Sequence, residues 1–152
     1  MKTLCIVPCG KKKIWEKNKK AGPTPARDVY IGAFAKICRD YAEIFFPKDY
    51  CILSAKYGFL RPDETIPGPY NVSFNDKSTK PITEDKLAEQ VKEINLHRHK
   101  KIVVLGGKAY TEMVENAFPQ SEVTNLFKGC KGNGYMMQRA KYLIARNDSG
   151  VK

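Results

Sequence analysis

Lys101-Ile-Val-Val-Leu105-Gly106-Gly107-Lys108 is a short apolar run, rich in β-branched residues, that stops at two glycines and a lysine. Bounded in this way it reads as a buried strand turning directly into a helix, along which Tyr110, Met113, Val114 and Ala117 recur at helical spacing. The same pattern repeats toward both ends of the chain. Thr3 to Val7 is a second apolar run, closed by Pro8 and Gly10. Asp28 is placed to cap a helix carrying Tyr30, Phe34, Ile37, Cys38, Tyr41 and Phe45 on one face and ending near Pro47. Tyr50 to Leu53 predicts another strand, and Thr83 caps a helix with Leu87, Val91 and Ile94 on one side. Glu122 to Leu126 then predicts a strand, and residues from about Gly134 to Arg146 a helix with Met137, Ala140 and Ile144 inward. Alternation of this kind predicts an α/β fold over residues 1–152. It should be a single three-layer domain, with a mostly parallel sheet of about four strands and helices on both faces.

With 152 residues and 42% hydrophobic composition, the chain can fill one core but not two. No stretch approaches the roughly 18 apolar residues a membrane-spanning helix needs, and the first apolar run is too short for a signal peptide. A soluble cytoplasmic protein with no membrane partner is the expectation. Cys5, Cys9, Cys38, Cys51 and Cys130 form no C-x-x-C pair. Cys5-x-x-x-Cys9 begins like a radical-enzyme cluster motif, but Lys12 stands where its third cysteine would be, so neither metal nor cofactor is expected. His97 and His99 read as the solvated basic end of a helix rather than as a metal pair.

The balance of 27 Lys+Arg against 16 Asp+Glu leaves a formal charge of +11, which favours nucleic acid or a phosphorylated nucleotide as partner. Six lysines fall between Lys11 and Lys20 and read as a mobile basic loop. In a parallel sheet, ligands bind outside the carboxyl ends of the strands. Gly10, Lys11 and Lys12 after the first strand, Ser54, Lys56 and Tyr57 after the second, and Gly106, Gly107 and Lys108 after the third are therefore expected to converge on one crevice. The lysines, the glycines and Ser54 would contact phosphate.

Leu53 to Asn71 reads as a long Pro/Gly-stiffened loop that carries most of the candidate chemistry. Within it, Asp63 could stabilise an oxocarbenium-like charge or activate water, with Tyr57 and Tyr70 stacking on or orienting a base. The competing reading has Arg61, Asp63 and Glu64 only closing turns around the prolines. Gly129-Cys-Lys-Gly132-Asn-Gly134 is similarly either a permissive turn before a helix or a hairpin offering amides to a phosphate.

Cys9-Gly-Lys-Lys-Lys13, Ala26-Arg-Asp-Val-Tyr30-Ile-Gly32, Ile52-Leu-Ser-Ala-Lys-Tyr-Gly-Phe-Leu60, Pro62-Asp-Glu64 and Pro69-Tyr70 together resemble an uncharacterised small-domain family related to the YaaA peroxide-stress proteins. The resemblance implies an α/β fold, DNA binding, and a distant likeness to the uracil-DNA-glycosylase fold and to an archaeosine synthase domain. The expected function is thus a nucleic-acid- or nucleotide-directed protein acting at the N-glycosidic bond of a modified base. A non-catalytic DNA- or RNA-binding module and an enzyme on a free phosphorylated nucleoside are the alternatives.

Overall fold

A computed structural model describes residues 2–151. In chain order the elements are β1 (Leu4–Pro8), α1 (Ile14–Lys17), β2 (Thr24–Pro25), α2 (Ala26–Val29), α3 (Ala33–Phe45), β3 (Tyr50–Ser54), β4 (Gly58–Leu60) and β5 (Thr65–Ile66). They are followed by α4 (Glu84–Glu93), β6 (Lys101–Val104), α5 (Lys108–Ala117), β7 (Glu122–Asn125) and α6 (Asn133–Ala145).

The main sheet has five strands in the order β4-β3-β1-β6-β7. β1, β3, β6 and β7 run parallel, and β4 pairs antiparallel with β3 at one edge. Because side chains alternate along a strand, each central strand feeds two cores. Cys5, Val7, Ile52, Val103 and Leu105 face the layer that holds α3 and α6, where Cys38, Tyr41, Ala42, Met136, Ala140 and Leu143 are buried. Leu4, Ile6, Cys51, Leu53, Ile102 and Val104 face the opposite layer, built by Leu87 and Val91 of α4 and Val114 and Ala117 of α5. The chain leaves β1 for the α3 layer and leaves the adjacent, parallel β6 for the α5 layer. The strand order reverses at a switch point between β1 and β6, which makes the carboxyl ends of the strands the side on which ligands bind in such sheets.

Several local expectations are corrected. The fifth strand lies inside the stretch read as a long loop. Ser54 pairs with Gly58 across the three-residue turn Ala55-Lys56-Tyr57, and Gly58, at φ +75°, supplies the left-handed residue that closes such a hairpin. A Cβ on Gly58 would lie 2.3 Å from Gln90 Oε1. Asp28 does not cap the long helix. It sits in the short α2, and α3 starts after Gly32, because Tyr30 is held in extended conformation by a bridge to Lys13. The same bridge, the Ile31 amide on the Lys12 carbonyl (3.0 Å), and the Trp15 indole on the Gly22 carbonyl (2.8 Å) tie down the basic segment. Lys11 to Lys20 is therefore an ordered strap containing α1, with Trp15 buried beneath it.

On α6, Ala140 is buried and Ile144 packs half-buried against the same core, as expected, while the other buried residues are Met136 and Leu143 rather than Met137. α4 ends at Glu93, before the histidines. His97 is exposed, as expected, but His99 is buried, with Nδ1 against the Lys2 carbonyl at 2.8 Å. No helix among the described residues is long and apolar enough to cross a membrane.

Candidate functional site

Ser54, the last residue of β3, is fully buried and organises the crevice. Its Oγ accepts the backbone N–H groups of Lys56 (3.2 Å) and Tyr57 (3.1 Å), a local turn geometry that serine favours. With its lone pairs used in this way, Ser54 directs its own proton to the Tyr70 hydroxyl, 3.1 Å away. Tyr70 in turn lies 2.5 Å from the hydroxyl of Tyr30. Tyr30 is fully buried and Tyr70 half-buried at the mouth. Tyr30 and Ser54 can both donate to Tyr70, leaving the Tyr70 O–H to point at a ligand. Burial raises the pKa of Tyr30 far above the ordinary phenol range, an effect the neighbouring Tyr70 reinforces. Burial also raises that of Tyr70, with the Ser54 and Tyr30 hydrogen bonds opposing it. Both therefore act as neutral phenols.

Two ammonium groups flank this hydroxyl chain. Lys13 Nζ lies 4.6 Å from the Tyr70 ring centroid, and Lys56 Nζ lies 5.4 Å from Tyr70 and 5.2 Å from Tyr57. The Tyr57 and Tyr70 rings meet edge to face at 5.5 Å. Lys56 is exposed, whereas Lys13 is 7% exposed. Of its three N–H groups, Lys13 commits one to the Lys11 carbonyl (3.1 Å). Among the described residues no carboxylate oxygen comes within 4.0 Å of its Nζ. Glu16, the nearest candidate in sequence, uses Oε2 to accept the backbone N–H of Lys13 instead (2.7 Å). Burial pulls the Lys13 pKa below its usual value, with Cys9 and Glu16 opposing the shift.

α5 braces the ends of β1 and β3. The Tyr110 hydroxyl reaches back across the switch point to Cys9 Sγ (3.2 Å) and the Leu53 carbonyl (3.3 Å), so it joins the ends of β1 and β3. Lys11, Lys13, Trp15, Glu16, Lys19, Pro69, Tyr70 and Asn71 line a cleft of about 570 Å³, three ammonium side chains against one carboxylate.

The predicted residues divide accordingly. Ser54, Lys56, Tyr57 and Tyr70 come together, and Lys11 lines the mouth. Gly10 lies half-buried next to Cys9, with room for a Cβ 3.5 Å from that of Ala35. Lys12 is exposed, and its carbonyl holds the Ile31 amide. Gly106 is buried beneath Tyr110, so the third strand reaches the crevice through that tyrosine rather than through its glycines. Gly107 caps α5, and it lines with Lys108, Glu112 and Glu115 a separate cleft of about 420 Å³.

Asp63 is exposed at the opposite end of the sheet. It shares a cleft with Leu4, Asp49 and Tyr50, at the amino ends of β1 and β3. The antiparallel β4 carries the chain there: having left β3 at its carboxyl end, the hairpin runs back down the sheet before Asp63 is reached. Glu64 closes a turn, its Oε1 accepting the Arg61 amide (3.0 Å). Lys13, Tyr30 and Tyr110 complete the site without a local signal in the sequence, whereas Cys9, bonded to Tyr110, stands with Gly10 at the predicted strand end. Lys13-to-Tyr30 pairing is a long-range bridge, and only the position of Cys9 at a strand end was a usable signal.

The chain is 41% identical, over 139 residues, to Uncharacterized protein YfjM of Bacillus subtilis (strain 168), which covers 91% of this chain and 92% of that protein. A family model described as Family of unknown function (DUF6884) matches residues 4–139. These matches overturn the suggested kinship with the YaaA peroxide-stress proteins, and the glycosylase-like character inferred from it loses its support. The stretches that prompted that resemblance all fall within the matched span, and the chain belongs to the family of unknown function DUF6884.

Proposed function

We propose that this protein is directed to a nucleotide, holding a phosphorylated nucleoside in the crevice between the ends of β1 and β3. The observation that carries the reading is Lys13. A buried ammonium with no carboxylate partner is costly, and a ligand anion is what would repay that cost. Its remaining N–H groups, with Lys11 at the mouth and Lys56 beyond Tyr70, suit a phosphate. Trp15, Pro69 and Tyr70 offer an apolar wall for a base, and the Tyr70 hydroxyl, supported by Ser54 and Tyr30, offers a directed donor. A cytoplasmic setting, where such ligands abound, goes with this reading. Chemistry in the crevice would draw on phenols, an ammonium and the Cys9 thiol rather than on Asp63.

Titration calorimetry with a panel of nucleoside monophosphates, and with inorganic phosphate as reference, tests this reading. K13M preserves most of the stem and removes the charge. Loss of a charge-assisted hydrogen bond should weaken nucleotide binding by about tenfold or more. Unchanged affinity in K13M, or no binding of any monophosphate to the unaltered protein, overturns the reading.

A further inference from the structure

α6 carries a second surface that the crevice does not use. From Leu126 to Asn147 the chain contains no Asp or Glu, while Lys128, Lys131, Arg139, Lys141 and Arg146 all fall in that span. Tyr135 and Tyr142, at 63% and 58% exposure, are the two most exposed large hydrophobic side chains among the described residues. They are separated by two helical turns on one face, with Gln138 and Arg139 between them. Together with Lys131 they line a cleft of about 590 Å³ in which no carboxylate appears. The cleft of about 420 Å³ on the other side of Gly129 and Cys130 differs, since Glu112 and Glu115 face it.

The turn before α6 is held rigidly against the helix. Arg139 donates to the carbonyls of Leu126 (3.2 Å) and Lys128 (2.8 Å), which ties the turn to the helix, and Lys131 lines the cleft beside the tyrosines. At the far end, the Arg146 guanidinium lies 5.2 Å from the Tyr142 ring centroid. Aromatic faces that water would otherwise cover, interleaved with cations and free of acids, match a polyanion whose bases are available for stacking.

We infer that this face of α6 binds a single-stranded nucleic acid, with bases on Tyr135 and Tyr142 and phosphates on Lys131 and Arg146. A seven-residue separation on a helix spans about 10 Å. At about 3.4 Å per nucleotide, that accommodates a stacked run of about three nucleotides. A duplex fits less well because its bases are already paired and stacked. The inference does not rest on the crevice reading.

Fluorescence anisotropy with a labelled oligothymidine strand and with a duplex of equal length is the test. The unaltered protein should prefer the strand, and Y135A/Y142A should lose about tenfold or more in strand affinity. Y135F/Y142F should keep it, because the rings remain. K131A/R146A should flatten the salt dependence of binding, in proportion to the phosphate contacts removed. Nucleoside monophosphate binding by Y135A/Y142A should match that of the unaltered protein, which separates this surface from the crevice. Equal affinity for strand and duplex, unchanged strand binding in Y135A/Y142A, or equal loss in the Phe and Ala pairs would overturn the inference.

Discussion

Ser54→Ala tests whether one hydroxyl holds the crevice together. The substitution removes a single atom from a fully buried residue, so the side chain leaves almost no cavity, and the effect comes from hydrogen bonds. Three are lost: two from the amides of Lys56 and Tyr57, and one to Tyr70. Lys56 is exposed and its amide can turn to water, which limits that loss to the net value of a hydrogen bond, about 1 kcal/mol. The Tyr57 amide is less accessible, and leaving it without an acceptor costs about 1 to 3 kcal/mol. Tyr70 retains Tyr30 as a partner, so its loss stays at the low end.

The sum is a destabilisation of about 2 to 4 kcal/mol, which for a domain of this size lowers the melting temperature by on the order of 10 °C. Urea denaturation followed by far-ultraviolet circular dichroism measures it, with Tyr70→Phe and the double variant completing a cycle. A coupling of about 1 kcal/mol between the two sites is expected for directly bonded groups. A loss below about 0.5 kcal/mol in Ser54→Ala, or additive effects in the cycle, would refute the view that Ser54 organises the hairpin and Tyr70.

Other perturbations read different parts of the structure. Gly58→Ala combines a left-handed backbone with a Cβ 2.3 Å from Gln90 Oε1, the atom that also accepts the Phe59 amide. It should cost more than about 2 kcal/mol in the same denaturation assay. Gly68→Ala, with nothing within 4 Å, should change stability by less than about 0.5 kcal/mol. Lys13 predicts a pH dependence. Burial lowers its folded pKa below 10.5, so between the folded value and 10.5 the unfolded chain binds more protons and stability rises with pH. In K13M that rise should vanish, and the variant should be at least as stable as the unaltered protein below this window; a K13M curve that keeps the rise assigns it to another group.

How far the site could be read in advance follows from the range of the interactions. Ser54, Lys56 and Tyr57 stand within a few residues of the end of a recognisable strand, so their placement follows from local pattern and the rule for parallel sheets. Tyr70 was found as part of the same stretch, but its partner Tyr30 lies 40 residues away and no local signal links them. Asp63 shows the opposite failure. Sequence proximity to Ser54 suggested spatial proximity, whereas the intervening hairpin carries it to the other end of the sheet. The hairpin itself was signalled by Tyr57-Gly58, the glycine that a three-residue turn needs in the left-handed position.

The basic segment departs from its expected mobility for a related reason. Lysine content suggests solvation and mobility, but the bridge from Lys13 to Tyr30 and the indole bond of Trp15 order it. That ordering is what buries Lys13 and turns an ordinary surface charge into a candidate anion receptor.

Taken alone, the sequence determined the alternation of strands and helices, because apolar periodicity and turn residues act within a few residues of one another. It thereby determined a three-layer α/β fold and the end of the sheet at which a crevice opens. Only the tertiary structure decided which side chains share that crevice. The Tyr30, Tyr70 and Ser54 chain, the burial of Lys13 and the exclusion of Asp63 all depend on contacts between segments distant in the chain, whose geometry no local pattern encodes.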